Sequence, residues 1–338
     1  MRFGIKSLLA AMLFTSVSSS AIASEEVNVY SYRQPFLVEP LFKGFTEETG
    51  IKVNVVFAKK GLAERLKREG ANSPADLVFT VDIGRLNEVV EMDLVQAVNS
   101  DTLNSNIPSQ YRDPEGLWFG LTTRTRSIYA SNERVKDGEI TTYEELADEK
   151  WKGRICTRSG KHPYNLALIA SMIAHHGEAE TETWLKGVKA NLARKPQGND
   201  RAQVKAIYEG VCDLSLGNNY YLGKMLQDEE QTKWANAVNI LFPNSADRGT
   251  HVNISGMALT TSAPNKANAI KLMEYLTGET AQTMYAEQNF EYPVNPAVQP
   301  SELVASWGEF KADQLPLADI AGLRKAAAKL VDKVAFDQ

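Results

Sequence analysis

The stretch from residue 27 to residue 57, VNVYSYRQPFLVEPLFKGFTEETGIKVNVVF, decides the fold class. It predicts a strand over residues 27–32, an amphipathic helix over 36–49 that ends at Gly50, and a second strand over 52–57. Two β-branched strands that enclose a helix are typical of an α/β lobe with a mostly parallel sheet. We therefore expect the chain to begin its folded part as such a lobe.

The same alternation of short strands and helices continues through most of the chain. The later predicted elements are helices over 62–68, 165–175, 203–209 and 222–229 and strands over 76–79, 153–157 and 211–216. The chain has 338 residues, which exceeds what one hydrophobic core usually supports, so two lobes are expected. No low-complexity linker separates them, so we expect the chain to cross between lobes more than once, at the extended runs 122–130 and 251–259.

The first residues have the composition of a signal peptide. Arg2 and Lys6 precede an apolar run over residues 7–17, and Ala21-Ile22-Ala23 follows as a cleavage pattern. This predicts removal of residues 1–23 and export of the remaining chain. Loss of the two basic residues changes the net charge from −5 to −7. Such an acidic protein is a poor partner for nucleic acid or for an anionic lipid surface.

The chain contains two cysteines, Cys156 and Cys212. In an exported protein an even pair predicts a disulfide, which would stabilise the fold by roughly 4 kcal/mol, and two buried thiols are the alternative. Eight residues after each predicted strand cysteine comes a tyrosine that opens a helix, Tyr164 or Tyr220. If the cysteines pair, matched strand register brings Tyr164 close to Tyr220 and Tyr221. Ligands of open α/β sheets bind at this edge, but simple packing of the three rings stays open.

A cluster of three phenols in a cleft has few chemical uses. Stacking on a sugar or an aromatic ligand is one, although that usually favours tryptophan or well-separated rings. Metal binding as phenolate is the other, and a tyrosine pKa near 10 requires a strongly Lewis-acidic ion to displace the proton. Fe³⁺ fits because it is hard and trivalent, whereas zinc and copper favour His or Cys. Any accompanying anion needs a cation, and Arg124 on the extended run 122–130 is suitably placed.

Several segments that carry tyrosine or arginine resemble the periplasmic ferric-iron-binding proteins of ABC importers. They are YSYRQP at 30–35, LTTRTR at 121–126, RSGKHPYN at 158–165, GNNYY at 217–221 and YPVN at 292–295. The resemblance covers essentially the whole exported chain, and the Tyr-Tyr pair after a Gly-Asn turn is its most specific element.

The resemblance implies a type II periplasmic binding protein fold, with two α/β lobes, a hinge and a central cleft. The lobes would comprise residues 24–124 plus 250–300 and residues 125–249 plus 301–338. It further implies a monomeric periplasmic carrier, not an enzyme, that delivers Fe³⁺ or a ferric chelate to an inner-membrane ABC permease. Tyr164, Tyr220 and Tyr221 would be the ligands, and Arg124 would hold a carbonate or bicarbonate anion.

The first lobe departs from the pattern of this family. Many relatives carry His and Tyr ligands just after the arginine of the first strand, where this chain has Gln34 and Pro35. Neither replacement is a convincing ferric ligand. The first lobe therefore gives no protein ligand, or Tyr32 serves as a fourth phenolate. The alternative for Tyr32 is that it lines the cleft and forms hydrogen bonds.

Other polar residues have simpler expected roles. His175 and His176 precede Gly177 at a predicted helix end, and His162 is a candidate neighbour of Tyr164. Arg33 and Arg126 are candidates for cleft cations or for structural ion pairs. Gly-rich phosphate loops and the Gly-x-Ser-x-Gly nucleophile turn are absent from the sequence.

The rival functions are a carrier of an oxyanion, a polyamine or a thiamine-like cation, and, in another class, a periplasmic hydrolase.

Overall fold

A computed structural model describes residues 25–338, so the predicted signal peptide at 1–23 lies outside the described residues. The strands are β1 (Glu26–Ser31), β2 (Lys52–Phe57), β3 (Leu77–Thr80), β4 (Val95–Gln96), β5 (Phe119–Ser131), β6 (Ile155–Cys156), β7 (Leu214–Asn218), β8 (Val238–Leu241), β9 (Val252–Thr260) and β10 (Tyr292–Pro293). The first two strands and the helix between them agree with the sequence prediction to within one residue.

The helices surround these strands, as expected of an α/β fold. They are α1 (Pro35–Thr49), α2 (Leu62–Glu69), α3 (Ile83–Glu91), α4 (Asp101–Asn106), α5 (Pro163–Ala190), α6 (Asp200–Tyr208), α7 (Asn219–Leu226), α8 (Thr232–Ala235), α9 (Lys266–Thr277), α10 (Glu279–Asn289), α11 (Glu302–Ala305), α12 (Leu317–Gly322) and α13 (Arg324–Lys333). Among residues 25–338, none of the helices combines the length and the apolar character needed to cross a membrane.

One long strand joins the two lobes. The sheet order is β2-β1-β3-β9-β5-β7-β6, with β4 beside β9 and with β8 and β10 beside β5. The first half of β5 pairs with β9 and β10, and its second half pairs with β7 and β8. The expected crossing at residues 122–130 is therefore present, and the two-lobed α/β fold is confirmed. The lobe boundaries given above stay predictions.

Apolar side chains pack on both sides of these sheets. In the first lobe Phe42 and Phe45 of α1 and Leu272 of α9 belong to one buried cluster with Leu77 of β3. In the second lobe Leu168 of α5 belongs to a buried cluster built on β5, β6 and β7. This cluster continues into α3 of the first lobe, so the lobes share buried surface beside the strand that joins them.

The disulfide is present, but the predicted strand register is wrong. Cys156 and Cys212 are bonded with their Cα atoms 5.8 Å apart, and β6 and β7 are parallel neighbours, as predicted. However, Cys156 lies opposite Ser215, and Cys212 precedes β7 instead of lying within it. The tyrosines still meet because the following loops differ in length. Residues 157–162 separate β6 from α5, whereas α7 begins directly after β7.

Helix α5 is longer than predicted and contains a kink. It begins at Pro163, whose fixed φ suits a first helical position, and Gly177 interrupts it with a positive φ of 78°. The predicted end of the helix before Gly177 is therefore a break, after which a second helical segment continues to Ala190. Its N-terminus, which carries Tyr164, faces the space between the lobes.

A tyrosine-lined cleft as the candidate binding site

A cleft of about 390 Å³ receives side chains from both lobes. The first lobe contributes Tyr32, Gln34 and Phe36, which lie in or near the loop after β1. The second lobe contributes residues at the start of α5 and α7, among them the three tyrosines of the sequence prediction. The cleft thus lies where strands of both lobes end and helices begin, as expected for ligands of open α/β sheets.

Tyr164, Tyr220 and Tyr221 form one cluster. The hydroxyl oxygens of Tyr164 and Tyr220 are 3.1 Å apart, and the ring centroids of Tyr220 and Tyr221 are 4.4 Å apart. Tyr164 is in the first turn of α5, and the other two are in the first turn of α7. The predicted proximity of the three rings is confirmed, and their role as metal ligands stays a prediction.

The GNNYY segment at residues 217–221 is shaped by close packing and by its two asparagines. A Cβ atom at Gly217 would overlap the ring of Tyr129, so no larger residue fits there. The Tyr129 hydroxyl donates a 2.6 Å hydrogen bond to the carbonyl of Asn218. The Asn219 amide donates to the carbonyl of Phe290 at 2.9 Å, which joins the start of α7 to the first lobe. The tyrosine pair therefore begins from a fixed backbone.

The loop at residues 157–162, hereafter the Tyr164 loop, is also held in place. The Asn165 amide donates to the carbonyls of Arg158 and Ser159 at 3.1 Å each. His162 Nδ1 accepts a 3.3 Å hydrogen bond from the backbone N–H of Tyr164, which caps α5. Burial and the nearby Arg158 lower the pKa of His162 to about 3, so the ring is neutral when it accepts this bond.

Burial also controls the protonation of the phenols. It raises the pKa of Tyr220 well above 10.0, and Coulomb repulsion from Tyr164 and Tyr221 adds to the shift, while Arg124 opposes it. Burial, followed by the charge of Tyr164, likewise raises the pKa of Tyr221. Both groups are therefore neutral phenols near pH 7 in the absence of a cation. They lose their protons only when a cation of high positive charge density binds, because its attraction for the phenolates must exceed the free-energy cost of deprotonation.

Arg124 differs from the other buried arginines of the cleft region. Its side chain is buried, and within residues 25–338 its Nε and Nη1 atoms have no hydrogen-bond partner. Its guanidinium carbon lies 5.8 Å from the centroid of the Tyr164 ring. A buried cation without a partner is energetically costly. Arg124 thus keeps a buried guanidinium close to the tyrosines, and its role in holding an anion stays a prediction.

Arg33 and Arg126 each form a structural ion pair with a carboxylate. Arg33 Nη2 is 2.6 Å from a carboxylate oxygen of Glu291, and Arg126 Nη1 is 2.7 Å from Asp200. Burial alone would lower the pKa of the Arg33 guanidinium, but the charge of Glu291 outweighs that effect, and the net shift is upward. Of the two roles that the sequence allowed, these arginines therefore take the structural one.

Tyr32 uses its hydroxyl group at the start of a helix. Its oxygen accepts hydrogen bonds from the backbone N–H groups of Leu62 and Ala63, each at 3.0 Å. The guanidinium carbon of Arg85 lies 4.4 Å from the centroid of its ring. This arrangement matches the alternative in which Tyr32 lines the cleft and forms hydrogen bonds. Its role as a fourth ligand stays a prediction.

The sequence analysis missed one residue that lines the cleft, Arg201, and one that is buried behind it, Asp200. Asp200 is fully buried and bridges Arg126 and Arg158, at 2.7 Å from each. Arg201 lies over the Tyr221 ring, 5.5 Å from its centroid. The available signal was Asn199, a typical N-cap residue whose side chain accepts from the N–H of Ala202. It marks a third helix that begins at the same edge of the sheet.

The adjacent histidines, His175 and His176, contact carboxylates away from the tyrosine cluster. His175 Nε2 is 2.7 Å from Asp313, and His176 Nε2 is 2.7 Å from Glu144. Among residues 25–338 no group of three or more His, Cys, Asp and Glu side chains is arranged to hold a metal.

Comparison with known proteins gives consistent matches. The profile of a family described as bacterial extracellular solute-binding protein matches residues 72–308. The chain is 45% identical over 315 residues to iron uptake protein A1 of Synechocystis sp., covering 92% of this chain and 88% of that protein. The fold is similar to apo ferric ion-binding protein A of Pasteurella haemolytica, with TM-score 0.89, 56% identity and coverage of 93% and 99%. It is also similar to a Trichodesmium protein in complex with iron and citrate ligands, with TM-score 0.88, 44% identity and coverage of 92% and 99%.

Proposed function

Because the chain belongs to the bacterial extracellular solute-binding protein family, we propose that it is a periplasmic carrier of ferric iron that delivers its cargo to an inner-membrane ABC permease. The proteins to which the chain is similar are named as an iron uptake protein and a ferric ion-binding protein, which supports iron as the cargo. In this proposal the phenolates of Tyr164, Tyr220 and Tyr221 hold Fe³⁺, and Arg124 holds a carbonate-like anion beside it.

The observation that carries this proposal is the 3.1 Å contact between the hydroxyl groups of Tyr164 and Tyr220, close to the Arg124 guanidinium, whose Nε and Nη1 atoms have no partner among the described residues. Three phenolates neutralise the charge of Fe³⁺, and oxygen donors suit a hard trivalent ion. The remaining coordination positions would be filled by an anion or by water. An anion there would also compensate the buried charge of Arg124, so metal and anion would each favour the binding of the other.

Proton release gives the carrier its pH dependence. Tyr220 and Tyr221 have pKa values raised above 10.0 by burial, so each phenol must lose a proton when it binds iron. Metal binding that releases protons weakens as the pH falls. Affinity is therefore expected to be greatest at neutral to alkaline pH and to decrease steadily under acid conditions.

The test is to add ferric citrate to the iron-free protein and to record the visible spectrum and the metal content. We expect one iron per chain and a ferric-phenolate charge-transfer band that makes the protein reddish. A colourless protein without bound metal would contradict the proposal.

Calorimetric titration of the iron-free protein with thiamine, a polyamine and a phosphonate distinguishes a carrier of another solute. Strong heat of binding for one of these, together with no iron uptake, would favour that rival.

A further inference from the structure

The Tyr164 loop is contacted on its outer side by the chain segment that follows α13. The Asp337 carboxylate accepts one hydrogen bond from Ser159 Oγ at 2.6 Å and one from the backbone N–H of Gly160 at 2.7 Å. Its two oxygens thus contact adjacent residues of the loop. Charge-assisted hydrogen bonds of this kind are roughly twice as strong as neutral ones.

We propose that Asp337 is a positioning residue for Tyr164, and that it acts by holding the Tyr164 loop from outside. This inference rests on the proposed function, because it concerns the geometry of one of the three phenolates. Asp337 itself does not line the cleft. Its effect on a bound ion would therefore pass through the loop.

Close packing leaves the loop little room to move toward α13 and the segment that follows it, residues 334–338, hereafter the tail. A Cβ atom at Gly160 would lie 2.8 Å from Phe336 Cδ1 and 3.1 Å from Val331 Cγ1. Phe336 and Val331 are themselves buried. The backbone of the loop therefore lies directly on apolar side chains of α13 and of the tail, and a larger residue at position 160 would push them apart.

The tail is itself tied to the far end of the helix that carries Tyr164. Lys189, in the last turn of α5, donates to the carbonyls of Val334 and Ala335 at 3.0 and 2.6 Å. The Tyr164 loop, which leads into the start of α5, contacts the same short segment of chain. The tail thus fixes the start of α5 relative to its end.

The loop is held from both sides, and this sets the position of the phenol. Asn165 binds two loop carbonyls from the inner side, and Asp337 binds a hydroxyl and an N–H from the outer side. Loss of the outer contacts frees residues 159 and 160, four or five positions before Tyr164. The 3.1 Å contact with Tyr220 then depends on the inner contacts, on the packing of Gly160 and on the exposed ion pair between Lys161 and Asp332.

The experiment is a double-mutant cycle between Asp337→Asn and Tyr164→Phe in the full chain. Iron affinity is measured by competition with citrate, and the wavelength and intensity of the ferric-phenolate band are recorded. For Asp337→Asn alone we expect affinity to fall about 10-fold to 100-fold, as for residues that orient metal ligands. The band should shift toward that of Tyr164→Phe. In the Tyr164→Phe background the same change should have almost no further effect.

Lys333→Gln is the matched control, since it removes an ion pair between α13 and Glu182 that does not touch the loop. It should leave affinity and band unchanged. If Asp337→Asn fails to fold, Ser159→Ala replaces it in the cycle, because it removes one of the two contacts. An unchanged band, or an equal loss of affinity in the Tyr164→Phe background, would overturn the inference alone. A wild-type chain that takes up no ferric iron would overturn the proposed function and this inference with it.

Discussion

The two walls of the cleft differ in how their polar side chains are occupied. On the first lobe, the hydroxyl of Tyr32 accepts two backbone N–H groups and Arg33 is paired with Glu291. On the second lobe, the hydroxyls of Tyr164 and Tyr220 face each other. Beside them Arg124, on the strand that joins the lobes, has unpartnered Nε and Nη1 atoms. The difference suggests that the second wall carries the binding chemistry and that the first wall mainly covers it.

The largest expected effect is that of pH on iron affinity, and its size gives the number of ligands that lose a proton. Three phenols that bind Fe³⁺ release three protons, so the apparent affinity should fall about 1,000-fold for each unit by which the pH is lowered. Competition titrations between pH 6 and 8, corrected for protonation of the competing chelator and at fixed anion concentration, measure the slope. A slope corresponding to four protons that returns to three in Tyr32→Phe would mean that Tyr32 joins the site and that the walls are less different than proposed, whereas a fourth proton kept in that variant would come from bicarbonate bound as carbonate.

Tyr220→Phe removes one ligand oxygen from the second wall. Changes in residues that only orient metal ligands cost about 10-fold to 100-fold in affinity, so loss of the ligand itself should cost at least about 100-fold. Chelator competition and the intensity of the visible band measure the loss. Tyr208→Phe is the control, since Tyr208 is 45% exposed and lies outside the cleft. An affinity close to wild type for Tyr220→Phe would contradict the proposed ligand set.

Arg124→Gln tests the anion next to the tyrosines. We expect iron affinity to fall about 10-fold to 100-fold, since the cation that holds the anion is lost. The dependence of affinity on added bicarbonate should disappear in the same variant. Titrations at several bicarbonate concentrations measure both effects, and a variant that keeps the wild-type dependence would place the anion elsewhere.

Tyr32→Phe should have the smallest effect on iron affinity, but it should measurably lower the stability of the fold. The change leaves two buried N–H groups without their acceptor, which should lower the free energy of unfolding by about 1–3 kcal/mol. Iron affinity should stay within about threefold of wild type. Urea unfolding of the iron-free protein and chelator competition give the two values. A loss of affinity similar to that of Tyr220→Phe would make the first wall an equal partner.

Local patterns in the sequence predicted the elements that depend on local chemistry. The alternation of β-branched runs and amphipathic segments gave the α/β fold, and the even number of cysteines gave the disulfide. The strand register could not be predicted, because it depends on pairing between β6 and β7, which are distant in sequence. The sequence correctly predicted that β6 and β7 pair and that Tyr164 lies close to Tyr220, but it predicted the wrong register for the two strands. The longer Tyr164 loop compensates for that difference in register.

The arginines show why the rest of the site was out of reach. Arg124 and Arg126 stand two residues apart on β5 and look equivalent in the sequence. Arg126 is paired because Asp200, distant in the chain, lies beside it, and Arg33 is paired with an even more distant carboxylate, Glu291. Of these three arginines, Arg124 is the one to which the tertiary fold brings no carboxylate among residues 25–338.

The order of strands in the sheet also sets an order of assembly. Strand β9 lies between β3 and β5, yet it is synthesised after β6, β7 and β8. The first lobe therefore cannot complete its sheet until nearly all of the second lobe has been made, and such non-local pairing is slow. Until then β3 has an open edge of the kind that promotes aggregation. The newly made first lobe thus has a strand edge that needs protection until β9 is available.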